Sequence, residues 1–264
     1  MFRKLIKVSL TLLCIVSNVG ADEPAYPRSD LLVEPTVVAS GESRVNFVVL
    51  DARKRVAYDS GHVPGAIWVD HDGWSKAFGD GSDAQKWSDR IGALRIDGKN
   101  PVAIYDDNFA NDSARIWWIL KYWGVKDVRL INGGWKTWAA SGLPVSSEAP
   151  AIVGGDFRAI PAEKRLASKK NLLDSLKTGN LQIVDARSEA EHCGTDAMKN
   201  KKAGAIPGAR HLEWIDLIDK NTARFKPSVE LRKIYDAAGI DLKRPTATHC
   251  QGGGEPLSWP SVWN

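Results

Sequence analysis

The residues with the most chemistry in them are Cys250-Gln251-Gly252-Gly253-Gly254. A thiolate is a strong nucleophile. Three consecutive glycines let a backbone close into a tight concave loop whose N–H groups point inward as an anion cradle. Ahead of a helix N-terminus, such a loop lowers a thiol's pKa and holds a thiolate or its sulfur adduct. Arg187, at a neighbouring strand end, is placed to dock an oxyanion. The plain alternative is a buried core thiol beside a glycine turn, and what decides between the two is the framework that carries the loop.

That framework is a repeat. Residues 47–66 contain Phe-Val-Val-Leu followed by Asp51-Ala52-Arg53 and then Gly61-His62-Val63-Pro64-Gly65-Ala66. Residues 181–209 contain Leu-Gln-Ile-Val followed by Asp185-Ala186-Arg187 and then Gly204-Ala205-Ile206-Pro207-Gly208-Ala209, an offset of 134 residues between the two aspartates. Each unit reads as a buried strand, the loop at its carboxyl end, and a Pro-Gly turn into the next strand. In the first copy a strand over 101–105 ends at Asp106, and an amphipathic helix over 113–123 is closed by Gly124. A strand over 128–131 follows, and Asn132-Gly133-Gly134 turns into a helix around Trp135 and Trp138. Strands alternating with helices predict an α/β fold with a parallel, doubly wound sheet. In the second copy 245–249 matches 101–105, so Cys250 takes the place of Asp106. Ligand sites in such sheets lie beyond the carboxyl ends of the strands, where Asp185, Arg187 and Cys250 all fall. The expected layout is a leader over 1–21, a first domain over 28–145, a linker over 146–156 and a second domain over 157–264.

Composition limits the rest. The 264 residues are 43% hydrophobic and 26% charged, ordinary globular values. Residues 1–21 carry Arg3, Lys4 and Lys7, an apolar stretch from Val8 to Val16, and a small-residue site at Val19-Gly20-Ala21. This is the pattern of a secretory signal and predicts a periplasmic or secreted protein, off the membrane after cleavage. Setting those three aside leaves 33 basic against 32 acidic residues and no basic run of five, which argues against nucleic-acid binding. Cys193 and Cys250, 57 residues apart, are no disulfide scaffold, and Cys193 reads as incidental in a polar loop. His62, His71, His192, His211 and His249 show no metal-ligand spacing, so no metal is expected. His249 and Cys250 are neighbours on a strand and face opposite ways, which makes His249 a poor base for that thiol. Trp117, Trp118, Trp123, Trp135 and Trp138 read as core and domain packing.

Taken together, the doubled Asp-Ala-Arg and Pro-Gly-Ala blocks, Asn132-Gly133-Gly134-Trp135 and His249-Cys250-Gln251-Gly252-Gly253-Gly254 resemble the rhodanese family. The resemblance is to its exported two-domain thiosulfate or 3-mercaptopyruvate sulfurtransferases and covers about 28–255. It implies two tandem rhodanese-like domains, the first inactive, with Cys250 accepting a sulfane sulfur as a persulfide and passing it to cyanide or a thiol. It further implies that Arg187 contacts the donor, that Gln251, Gly252, Gly253 and Gly254 form the cradle, and that Asp185 orients loops by hydrogen bonds. It calls for no cofactor and for small-molecule partners only, and the chain is expected to act as a monomer.

The residues after the loop depart from that pattern. Glu255 sets a negative charge where an anion should dock, and Pro256 lacks an N–H. Fourteen residues follow Cys250, whereas 39 follow Asp106 before the linker. Codons permitted for Glu255 to Asn264, read two nucleotides later, can spell Ala-Ser-Val-Met-Ala-Phe-Gly-Leu-Glu, a helix of the family type. The expectation is a reading-frame shift near residue 254 and an incomplete second domain. The function then lies between a working sulfurtransferase and a catalytically impaired rhodanese-like binding module. A phosphatase or arsenate reductase would need Arg where Pro256 stands.

Overall fold

The computed structural model describes residues 26–40, 46–79, 81–198 and 200–251. The leader over 1–21, the glycines Gly252, Gly253 and Gly254, and Glu255 and Pro256 with the expected frame shift lie outside them.

The first half comprises β1 (Leu32–Val33), α1 (Pro35–Ser40), β2 (Val48–Asp51), α2 (Arg55–Ser60), β3 (Ile67–Trp68), α3 (His71–Phe78), α4 (Ala84–Gly92), β4 (Val102–Tyr105), α5 (Asn111–Tyr122), β5 (Val128–Ile131) and α6 (Gly134–Ala140). Its five strands are all parallel, in the order β1-β5-β4-β2-β3. β4 is buried along its whole length, and α5 is apolar on nearly every face because it packs against the sheet and against α3. Asp70 and Asp83 cap α3 and α4 by accepting from Gly73 N and Lys86 N.

The second half repeats the central unit. It contains α7 (Lys169–Thr178), β6 (Gln182–Asp185), α8 (Glu189–Cys193), β7 (Arg210–His211), β8 (Ile218–Asp219), β9 (Arg224–Phe225), α9 (Ser228–Ala237) and β10 (Thr246–His249). Among the described residues its parallel sheet runs β10-β6-β7, the arrangement that β4-β2-β3 takes in the first half. The registers coincide as well. Asp51 lies opposite Tyr105 and Asp185 opposite His249, so the residues that leave the two strands are Asp106 and Cys250.

Two elements differ from the sequence reading. Between Asp-Ala-Arg and Pro-Gly the chain makes a short helix, α2 or α8, too brief to show a 3.6-residue period. Ser188 caps α8 in a reciprocal box with Glu191, a signal that lay unread in Ser188-Glu189-Ala190-Glu191. The connection between the halves is also more than an exposed linker over 146–156. It straps along the first half: Ser146 exchanges backbone hydrogen bonds with His62, Gly155 N donates to Gly92 O, and Ala162 N donates to Tyr122 O. A Cβ on Gly155 would sit 2.6 Å from the Ile96 carbonyl oxygen, so the strap lies flush against the domain.

The antiparallel pair β8–β9 joins the halves. Asn132 accepts from Phe225 N (3.0 Å) and donates to Glu34 (3.0 Å), Arg224 donates to Glu34 (2.7 Å), and Thr137 donates to Thr222 O (2.8 Å). One apolar cluster runs from Leu50, Ile104 and Trp118 into Leu217, Phe225, Leu231 and Val184. The Asn132-Gly133-Gly134 turn therefore serves docking as well as chain reversal.

Candidate active site

Asp185 closes β6 and is fully buried, 0% exposed. It accepts from Arg187 Nε (2.9 Å) and Nη2 (2.7 Å), from the backbone N–H of Arg187 (3.1 Å) and from the His192 ring at Nδ1 (3.0 Å), while His249 Nε2 lies 3.6 Å away. Burial pushes the Asp185 carboxyl up. The hydrogen bonds from Arg187 and His192 outweigh it and hold the group well below the usual carboxylate range. His211 stacks on His192 at 4.7 Å and its Nε2 meets the Arg187 carbonyl oxygen at 2.9 Å. Three imidazoles thus gather round one carboxylate. Burial lowers the His249 pKa, with Asp185 pulling it partly back.

The first half repeats this clamp without a thiol. Arg53 donates to Asp51 through Nε (3.0 Å) and Nη2 (2.7 Å), and to the Gly61 carbonyl (2.7 Å). Arg187 likewise reaches Gly204 O at 3.1 Å. Where His249 approaches Asp185, the Tyr105 hydroxyl donates to Asp51. Arg187, expected to dock an oxyanion of the donor, is 7% exposed and donates to Asp185 and Gly204, and the same contacts recur at Arg53 in the first half. These bonds tie the strand end to the chain ahead of the Pro-Gly turn.

Asp106 accepts from the backbone N–H groups of Asn108 (3.0 Å), Ala110 (2.9 Å) and Ser113 (2.7 Å) at the start of α5. Phe109 and Ala110 hold left-handed φ values of 54° and 67° to aim those donors, a conformation that costs non-glycine residues about 1 kcal/mol or more each. Burial still pushes the Asp106 carboxyl above its ordinary value. In the first half the loop after the central strand thus closes N–H groups around a side-chain carboxylate. Cys250 stands at the matching point after β10, half-buried, with Gln251 exposed and its side chain accepting from Asn200 (2.8 Å). Cys193 is exposed and forms no disulfide. A cavity of about 400 Å³ lined by Phe47, Val49, Pro64 and Arg95 lies at the amino ends of the first-half strands, away from the thiol.

Sequence reasoning missed the placing of His192 against Asp185. His192 follows the capping box by one residue, so the helix start at Ser188 could have placed it there.

The fold and site define a tandem α/β protein in which one half carries a cysteine, Cys250, at the strand end where the other carries a carboxylate, Asp106. The profile of the rhodanese-like domain matches residues 35–141 and 168–261, and the chain belongs to that family. A thiosulfate sulfurtransferase of Azotobacter vinelandii is 31% identical over 231 residues, covering 84% of this chain and 82% of that protein. The sulfur carrier protein TtuD of Thermus thermophilus is 30% identical over 240 residues, covering 86% and 84%. SseA of Escherichia coli, described as a 3-mercaptopyruvate sulfotransferase, shares the fold with a TM-score of 0.74 at 24% identity, covering 88% of this chain and 91% of that one.

Proposed function

We propose that the chain is a sulfurtransferase that moves a sulfane sulfur from thiosulfate, or from 3-mercaptopyruvate, to cyanide or a thiol through a persulfide on Cys250. One observation carries the reading. Cys250 leaves β10 where Asp106 leaves β4, and in the first half the loop that follows Asp106 encloses its carboxylate with backbone N–H groups. The thiolate attacks the outer sulfur of thiosulfate. A bond from Sγ to that sulfur forms as its bond to the sulfite sulfur breaks, and sulfite departs with the electron pair. Cyanide then attacks the outer persulfide sulfur, a C–S bond forms, the S–S bond breaks, thiocyanate leaves and the thiolate is restored. The cycle needs no cofactor. Asp185, braced by Arg187 and His192, fixes the end of β6, the strand beside β10 after which Cys250 follows. Thiosulfate is favoured as donor because relatives near 30% identity carry that activity in their names. We further propose that residues 1–21 direct export and that the protein works as a monomer outside the cytoplasm, a reading supported by Arg3, Lys4, Lys7 and the apolar stretch behind them.

The test is thiocyanate formation from thiosulfate and cyanide by this 264-residue chain beside Cys250→Ser. Turnover by the parent, lost in the variant, supports the persulfide route. No turnover by either, with both folded, would replace it with a non-catalytic binding role.

A further inference from the structure

His62 is fully buried, 0% exposed, in the turn between α2 and β3, and the sulfur chemistry makes no use of it. Its ring stacks on Tyr58 at 4.0 Å, and each ring nitrogen meets a backbone carbonyl oxygen. Nδ1 lies 2.9 Å from Tyr58 O, and Nε2 lies 3.1 Å from Glu148 O on the strap. Both partners can only accept. A neutral imidazole carries one N–H and one lone pair, so it satisfies one carbonyl and turns a lone pair on the other. A protonated ring donates to both, and a charge-assisted bond is about twice as strong as a neutral one. The backbone of the same residue already grips the strap: His62 N donates to Ser146 O (2.8 Å) and Ser146 N to His62 O (2.9 Å). In the second half Ala205 takes the matching place before Ile206-Pro207-Gly208-Ala209, so the turn itself does not call for an imidazole.

We propose that His62 is a pH-sensitive latch: a proton on its ring closes the connection between the halves onto the first half. The charged groups around it are already matched to one another. On α2, Arg55 lies over the Tyr58 ring (5.7 Å) and donates to Asp59 (2.8 Å). At the end of β2, Asp51 is paired with Arg53, which also donates to Gly61 O (2.7 Å). The phenols are engaged as well: Tyr58 donates to Ala66 O, and Tyr105 accepts from Val63 N and donates to Asp51. The strap contributes Glu148, which meets the ring through its carbonyl. What a proton on His62 encounters is therefore two carbonyl oxygens. Burial penalises the charge, and the second hydrogen bond outweighs that penalty because the neutral ring leaves two lone pairs facing each other. Opening the strap removes the Glu148 contact, so the closed form takes up the proton more readily than the open one, and closure strengthens as pH falls. The latch is independent of the sulfurtransferase reading.

The experiment is hydrogen exchange at the Ser146 amide in the full chain, expressed as a protection factor so that the intrinsic pH dependence of exchange cancels. The Ala52 amide, bonded to Tyr105 O (2.9 Å), reports the stability of the sheet in the same spectra. Between about pH 7.5 and 5.5, Ser146 protection relative to Ala52 should rise roughly three- to tenfold in the parent. It should stay flat in His62→Gln, which has no titrating ring. Relative protection that is flat or falls in the parent overturns the proposal, and so does an equal rise in the glutamine variant. Should His62→Gln show no cooperative unfolding transition, the ring-nitrogen chemical shifts of His62 in the parent decide. Both nitrogens should carry protons at about pH 5.5, and a ring that still holds a bare nitrogen there overturns the proposal.

Discussion

Replacing Arg187 by Met asks whether this residue braces the strand end or docks the donor. The guanidinium makes two hydrogen bonds to Asp185, at 2.9 and 2.7 Å, and a third to Gly204 O at 3.1 Å. Charge-assisted bonds of this kind contribute about 1.5–3 kcal/mol each, and removing one partner of a buried pair costs about 3–5 kcal/mol. The His192 ring at 3.0 Å and the backbone N–H at 3.1 Å remain to hold Asp185, which places the expected loss near the lower end, about 3 kcal/mol. For a domain of roughly 100 residues that is a fall of about 12–24 °C in Tm. Arg53→Met is the control within the same chain. It opens the twin clamp on Asp51, and also a stack of Arg53 over Trp135 at 4.0 Å, so it should cost at least as much without touching the thiol's half. Circular dichroism melts and urea titrations give the stability; thiocyanate formation, measured well below the new midpoint, gives KM and kcat. The bracing role expects both variants destabilised and the KM for thiosulfate in Arg187→Met within about threefold of the parent, because uniform binding is unaffected. An Arg187→Met protein that melts within about 2 °C of the parent but whose KM rises tenfold would refute it. Acid adds a second reading. The Asp185 carboxyl is held below its unfolded value, so its stabilisation is present above about pH 4 and is lost as pH falls toward the folded value. Without Arg187 that advantage shrinks, and acid unfolding should begin at higher pH.

Other substitutions test other parts of the structure. Gly134→Ala puts a Cβ 2.4 Å from the Asp106 carbonyl oxygen at a φ of +53°, and should cost about 1–3 kcal/mol in the urea titration while leaving Cys250 alkylation unchanged. Asn132→Ala strands the Phe225 N–H and removes a donor from Glu34. It should cost about 1–3 kcal/mol, and proteolysis of the strap over 144–156 should accelerate; unchanged cleavage would separate docking from the Asn132 side chain. His249→Gln concerns pH. Burial lowers the folded pKa of His249, so the unfolded chain takes up the proton first and the parent loses stability as pH falls below about 6.5. The glutamine variant should lose less between pH 7.5 and 5.5, and parallel curves for the two proteins would count against a buried neutral imidazole.

Much of this protein was legible before any coordinates. The Asp51-Ala52-Arg53 and Asp185-Ala186-Arg187 blocks mark strand ends because a buried parallel strand is an unbroken apolar run, and a run followed by a charged tripeptide and a Pro-Gly turn is a local pattern. Matching the two copies placed Cys250 where Asp106 stands, and the strand registers agree. The helices α2 and α8 escaped because six and five residues show no period. The strap escaped because Pro, Ser and Gly read as exposed chain whether or not their backbone bonds to a neighbouring domain. What the side chains do was decided by packing. That Arg187 bonds Asp185 and Gly204 could not be read from its sequence neighbours. Asn132 lies 93 residues from Phe225 in the chain and bonds to it only once β8–β9 has docked one half on the other. Strand order follows from short-range chemical periodicity. Partners and charge balance depend on contacts between segments that no short-range pattern connects.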